Sequence, residues 1–228
     1  MLRRLLLASL SLSMTSSAAF SDPVTRLPRS HGEPLEVIAD MPAGPGPFPA
    51  IVLAPGQGYP MDGALLAETA RRLAEDGVAV WRFNWAYWTK DRSKGAPSED
   101  LALEVREMAE VVAAARADRR VDPARLFVGG KSLGSLVAWQ LLRQDAALHG
   151  ALLLTPICTD ERDGKPVAVG PEGYPGLATE WRPLAFIAGD EDPSCTPSML
   201  YAFAAGAAGP TRVAIVGGDH GLRQTRLA

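Results

Sequence analysis

The chain has 228 residues, a length that suits one α/β domain better than two. Apolar residues make up 47% and charged residues 21%, enough for a sizeable core and the wrong balance for a disordered chain. The formal charge of −3, with no basic stripe, argues against a nucleic-acid or anionic-lipid partner.

The first segment, "MLRRLLLASLSLSMTSSAAF", places two arginines before a short Leu/Ser/Met-rich run and then small residues around Ala18 and Ala19. That is the order of a secretory leader, so residues 1–19 are read as a signal peptide and the mature protein as exported, periplasmic or secreted. The run is shorter than the roughly 20 residues that span a bilayer, so no membrane insertion is expected after cleavage. Losing Arg3 and Arg4 moves the formal charge to −5. Residues 20–34 form a polar, proline-containing lead-in, and the folded domain is expected over 35–228.

"PLEVIAD" reads as a first strand and "GPGPF" as a turn. "PAIVLAP" (49–55) is a short apolar run with β-branched residues at its centre, fit for a buried parallel strand. From Asp62 to Glu75 the residues Leu66, Ala70 and Leu73 fall on one helical face, and Gly77 ends that helix. "VAVWRFNW" is the next strand. "TKDRSKGAPSED" is a polar loop in which Ser98 is the expected N-cap of a helix carrying Leu101, Val105, Met108, Val112 and Ala115. Then come "RLFVGG" (strand), the segment after Ser132 (helix), "GALLLTP" and "RPLAFIAG" (strands), "TPSMLYAFAAG" (helix) and "TRVAIVGG" (strand). Strands alternating with helices require a mostly parallel, doubly wound sheet in a three-layer α/β fold.

The joint between "RLFVGG" and its helix reads Gly130-Lys131-Ser132-Leu133-Gly134. A sharp strand-to-helix turn crowds the residue at its tip, and glycine two positions away on either side relieves the crowding. Such a turn lifts Ser132 above the carboxyl edge of the sheet, where ligands of such folds sit. The alternative is a serine N-cap in a glycine-rich loop, cradling a phosphate. A serine nucleophile needs a base, and the base an orienting acid. Of three histidines, His31 lies in the lead-in and His149 at the amino-terminal edge. His220 alone follows a strand end that the topology brings to Ser132. Between them "AFIAGDEDPSC" ends a strand and supplies Asp190, Glu191 and Asp192. "LAPGQGYPMD" follows an early strand and is placed to donate a second backbone N–H, that of Gln57, beside the N–H of Leu133.

In order, "VLAPGQGYPMD", "WRFNWAYW", "GGKSLGS", "IAGDEDP" and "GGDHGL" resemble the motifs of serine α/β-hydrolases, over roughly residues 49–222. Within them the chain is similar to the small, lidless dienelactone-hydrolase-like group. It also resembles the hydrolase-type domain of a chromatin acetyltransferase-complex subunit and of a testis-expressed protein. The resemblance implies an α/β-hydrolase fold without a large lid, with Ser132 as nucleophile, His220 as base and the last acid of the G-x-x-D turn, Asp192, as orienting acid; Asp190 is the reserve. It implies a carboxylesterase-like serine hydrolase acting on a small-molecule acyl substrate, with no cofactor and no metal. A catalytically silent hydrolase fold used as a binding module is the rival reading. Pro55-Gly56 departs from the His-Gly of many relatives, and altered loop packing is the expected consequence.

Tyr59, Trp85, Tyr87 and Trp88 are candidates for an aromatic pocket wall, core packing being the alternative. Cys158 and Cys195 follow neighbouring strands and are within reach of a disulfide in an oxidising compartment, a pairing the sequence leaves open. The Gly- and Pro-rich stretch 160–181 reads as a short flap. Oligomeric state has no signature in the sequence.

Overall fold

A computed structural model describes residues 20–162, 165–168 and 174–223, so the leader read at 1–19 lies outside the described residues. In chain order the elements are β1 (Phe20–Ser21), β2 (Thr25–Leu27), β3 (Leu35–Met41), β4 (Phe48–Ala54), α1 (Ala64–Glu75) and β5 (Ala79–Phe83). They continue with α2 (Ala86–Lys90), α3 (Ala102–Ala117), β6 (Val121–Lys131), α4 (Leu133–Gln144) and β7 (Ala151–Leu154). The last are β8 (Thr159–Arg162), β9 (Lys165–Ala168), β10 (Leu184–Gly189), α5 (Pro197–Ala205) and β11 (Thr211–Val216).

Among the described residues the main sheet has nine strands, ordered β1-β3-β5-β4-β6-β7-β10-β11, with β2 also on β3. From β5 to β11 every pairing is parallel. β3 runs antiparallel to β5. The polar lead-in contributes two short strands to the sheet. β1 and β2 both pair antiparallel along the free edge of β3, and they satisfy backbone groups that would otherwise stand open.

Alternation along β4 shows why so short a run is apolar throughout. Ala50, Val52 and Ala54 face the core that holds α3, α4 and α5, while Ile51 and Leu53 face Leu66 and Ala70 of α1. Helices therefore cover both faces. α1 ends as expected: Gly77 takes φ +88°, and the N–H groups of Gly77 and Val78 donate to the carbonyls of Ala74 and Leu73. This pair of bonds caps the last turn.

Two local expectations need correction. The polar loop begins later than read, because Ala86–Lys90 forms the short helix α2, anchored where the Ala86 N–H donates to the Glu107 carboxylate. Ser98 is not the N-cap of α3; Leu101 is, with φ +58°. Ser98 instead donates its N–H and its hydroxyl to the two oxygens of Glu104 in the first turn, so the acid reaches back to the serine. Of the stretch read as a flap, 163–164 and 169–173 lie outside the described residues. β8 and β9 pair with each other as a separate antiparallel ribbon, and from Tyr174 the chain is back in the core. No large lid stands over the carboxyl edge among the described residues.

The topology has one place where a crevice must form. From β4 the chain passes through α1 to β5 on one side, then crosses through α3 to β6 on the other. The chain leaves the carboxyl ends of β4 and β6 toward opposite faces, to α1 on one and α4 on the other, and ligands bind at such a switch in open α/β sheets.

Candidate active site

Ser132 leaves β6 at this switch with φ +53° and ψ −118°, a backbone that side chains other than glycine seldom adopt. The turn is tight because the flanking glycines let its two limbs touch. A Cβ on Gly130 would lie 2.3 Å from the Gly134 carbonyl oxygen, and one on Gly134 would lie 2.5 Å from the Ala54 carbonyl oxygen. The turn is further tied by the Ser132 N–H donating to Leu154 and by Ser135 Oγ donating to the Ser132 carbonyl at 2.6 Å. Ser132 does stand at the N-cap of α4, yet its hydroxyl makes no capping bond there.

That hydroxyl goes to His220. Ser132 Oγ is 2.9 Å from Nε2 of the imidazole, and Nδ1 lies 3.0 and 2.9 Å from Oδ1 and Oδ2 of Asp192. An ionised carboxylate only accepts, so Nδ1 carries the ring proton and Nε2 is left to accept from the serine. Asp192 is buried at 1% exposure, while the His220 side chain is 28% exposed, so the ring meets solvent and the acid does not. Asp190, the reserve acid, is exposed. It accepts the Gly218 N–H at 2.8 Å and so braces the turn that presents His220. His31 and His149 are exposed elsewhere.

Leu133 is the first residue of α4, where an N–H has no helical acceptor, and it follows the serine directly. Across the crevice, a Cβ on Gly56 would lie 3.5 Å from Ser132 Cβ, so the loop after β4 rests against the turn. Gln57 is the exposed next residue, within a turn closed by the Tyr59 N–H to the Gly56 carbonyl. In this loop the Pro55 carbonyl accepts the indole N–H of Trp85 at 3.0 Å.

The aromatic candidates do not form one wall. Trp85, 1% exposed and edge-on to Phe83, belongs to the core, a correction to its reading as pocket lining. Tyr87 stacks on Trp85, and its phenol sits among Glu104 and Glu107 of α3; burial and those charges push it far above its usual range. Tyr59 packs into the α1-side cluster and its hydroxyl accepts the Leu65 N–H. Trp88 lies beside the turn that Tyr59 closes, against Gly58. Buried Lys131 has its ammonium 5.2 Å over the Tyr59 ring, and desolvation draws its pKa down against the pull of Asp192.

Sequence reading missed the residues that hold the far end of the loop after β4. Arg82 of β5 makes two bonds to Asp40 of β3, 2.7 and 3.0 Å, and donates to the Met61 carbonyl at 2.7 Å. Asn84 accepts the Met61 N–H at 2.9 Å. An arginine inside an otherwise apolar strand was the available signal.

The fold and the serine–histidine–carboxylate arrangement define a hydrolase-type α/β domain. The alpha/beta hydrolase domain family matches residues 48–227, and the chain belongs to that family. No curated protein sequence matches it significantly. Among solved structures it is similar to Est1E from Butyrivibrio proteoclasticus, with TM-score 0.70 and 15% identity over 89% of this chain and 92% of that one. It is similar also to an alpha-beta serine hydrolase homologue from Coxiella burnetii, with TM-score 0.69 and 20% identity over 90% and 91%. A lidless serine hydrolase from Xanthomonas campestris, XC6422, gives TM-score 0.61 and 21% identity over 92% and 88%. At these identities the likeness is one of fold.

Proposed function

We propose that the protein is a serine hydrolase that cleaves a carboxylic ester through an acyl-enzyme. Ser132 Oγ attacks the acyl carbonyl as His220 Nε2 takes its proton, and Asp192 holds the tautomer and steadies the imidazolium that forms. The N–H groups of Leu133 and Gln57 are assigned to the developing oxyanion. The alcohol departs with the proton from Nε2. Water then enters, His220 deprotonates it, and the acid leaves as Ser132 recovers its hydrogen. Water and side chains of the chain supply every proton and electron pair in these steps.

The observation that carries the reading is the unbroken run from Ser132 Oγ through the imidazole to the buried Asp192 carboxylate. The open carboxyl edge favours small soluble esters, or extended ones, over buried lipids. Hydroxycinnamates enter as a reasonable first panel, since Est1E has been solved with ferulic acid bound.

The test is p-nitrophenyl acetate turnover with fluorophosphonate labelling. Ser132→Ala is expected to lose on the order of 10⁶ in kcat and all labelling. Full turnover by Ser132→Ala would sink the mechanism, and a wild-type chain neither turning over nor labelled would mark a silent binding module.

Export is part of the proposal. The leader order at 1–19 supports it, as does a disulfide between Cys158 and Cys195, a bond that persists in oxidising compartments. Intact mass of the protein recovered from a secreting host is expected to lack residues 1–19; recovery of the full-length mass would count against it.

A further inference from the structure

The two cysteines are bonded to each other, with sulfurs buried on both sides, and the bridge lies directly behind the acid of the site. Cys195 is three residues beyond Asp192. Between them, Ser194 is held from two directions. Its N–H donates to Asp192 Oδ1 at 2.8 Å. Its carbonyl accepts the Cys158 N–H at 2.8 Å and the Thr159 hydroxyl at 3.1 Å.

The other end of the bridge sits on a rigid platform. Thr155 opens the loop after β7 at φ +39° and donates its N–H to the Ile187 carbonyl. Tyr174 is wholly buried, its phenol is pushed up to about 12 by that burial, and its hydroxyl is 3.2 Å from Ser135 Oγ of α4. Loop 155–158 is thus fastened to β10.

The acid loop itself is unevenly held. Before Asp192 it is tied to the strand beside it, through the Asp190 N–H to Val216 and the Glu191 N–H to Gly218. After Asp192, the fastenings before α5 begins are those at Ser194 and the bridge at Cys195.

Resting on the serine-hydrolase reading above, we infer that the Cys158–Cys195 bridge is a positioning device for the triad acid. Acting through Ser194, it fixes the Asp192 carboxylate against Nδ1 of His220. A triad tolerates little slack, since a displacement of about 1 Å at a reacting geometry costs on the order of 100-fold in rate. Among the described residues no hydrogen bond joins Cys158 or Cys195 to Ser132, Leu133 or Gln57, so loss of the bridge lowers turnover and leaves ester binding as it was.

The experiment is the double variant Cys158→Ala/Cys195→Ala, assayed with p-nitrophenyl acetate beside wild type and Ser132→Ala. Turnover is expressed per site labelled by fluorophosphonate at completion, which counts only folded, assembled sites. The expected result is kcat about 10- to 100-fold below wild type, with KM within about twofold. Wild-type kcat per labelled site would overturn the inference and show the bridge to be a staple of the fold only. Should the double variant yield no labelled sites, Thr159→Val keeps the bridge and removes one grip on Ser194. Its kcat is then expected about 2- to 10-fold low at unchanged KM, and an unchanged kcat overturns the inference. Failure of the parent reading looks different: Ser132→Ala then matches wild type, whatever the bridge variants do.

Discussion

At Ser132 the chain holds a residue in a backbone region it would leave if free, and the packing around it does the holding. Gly130 and Gly134 meet face to face, and Gly134 also abuts the carbonyls of Ala54 and Pro55 at the end of β4. A methyl at either place strikes backbone, which cannot swing aside as a side chain can. Gly134→Ala is therefore expected to cost about 1–3 kcal/mol in urea unfolding and to reduce turnover well beyond the fraction unfolded, because the elbow and the loop bearing Gln57 are pushed apart. Wild-type stability and turnover in that variant would show the contact to be slack. The glycine spacing was legible in the sequence and so was its mechanical reason. That Asp192 and not Asp190 faces the imidazole was only favoured by motif position. The geometry separates them by burial: one carboxylate is shut in beneath the ring, and the other braces the Gly218 turn from outside.

Helix α3 shows what an element reading captures and what it misses. Its apolar stripe packs as expected at Val105, Met108, Val112 and Ala115. Yet Glu104 and Glu107, which periodicity would leave in water, are buried as well. Ser98, six residues back, partners Glu104, but the partners of Glu107 come from distant segments: the Ala86 N–H and Arg29 of the lead-in. Local patterning carries no trace of such partners, so a buried acid is invisible to it. Burial pushes the Glu107 carboxyl above its ordinary value near 4.5 despite the help of Ala86 and Arg29. A carboxyl raised in the fold binds its proton more tightly there than in the unfolded chain. Its contribution is therefore complete below the unfolded pKa and is lost as pH rises through the folded one. Wild type is accordingly expected to gain stability relative to Glu107→Gln on going from pH 7 to pH 4. Urea unfolding at the two pH values measures this, and a difference of opposite sign would mean that the Arg29 pair outweighs desolvation.

For the molecule as a whole, the bridge and the sheet edge matter most. Cys158 and Cys195 are 37 positions apart in the chain, and the stretch between them contains the β8–β9 ribbon. By chain entropy such a link stabilises the fold by up to about 4 kcal/mol. The double alanine variant should show most of that loss in urea unfolding, as a lower midpoint. A loss under about 1 kcal/mol would place the value of the bridge in positioning alone. At the opposite edge, the lead-in supplies β1 and β2 to β3, and Asp22 bonds to Arg120 ahead of β6, so the polar start of the domain is structural.

The sequence by itself determined the strand–helix alternation, the parallel sheet it demands, the glycine-framed serine and the order in which serine, acid and histidine follow. These are local or topological consequences of residue size, periodicity and the reach of a crossover. The tertiary structure alone decided which carboxylate meets the ring, that the two thiols join, that Trp85 is core, and that two glutamates are buried. Each of those depends on which distant surfaces end up within a hydrogen bond of one another, and no spacing along the chain encodes that distance.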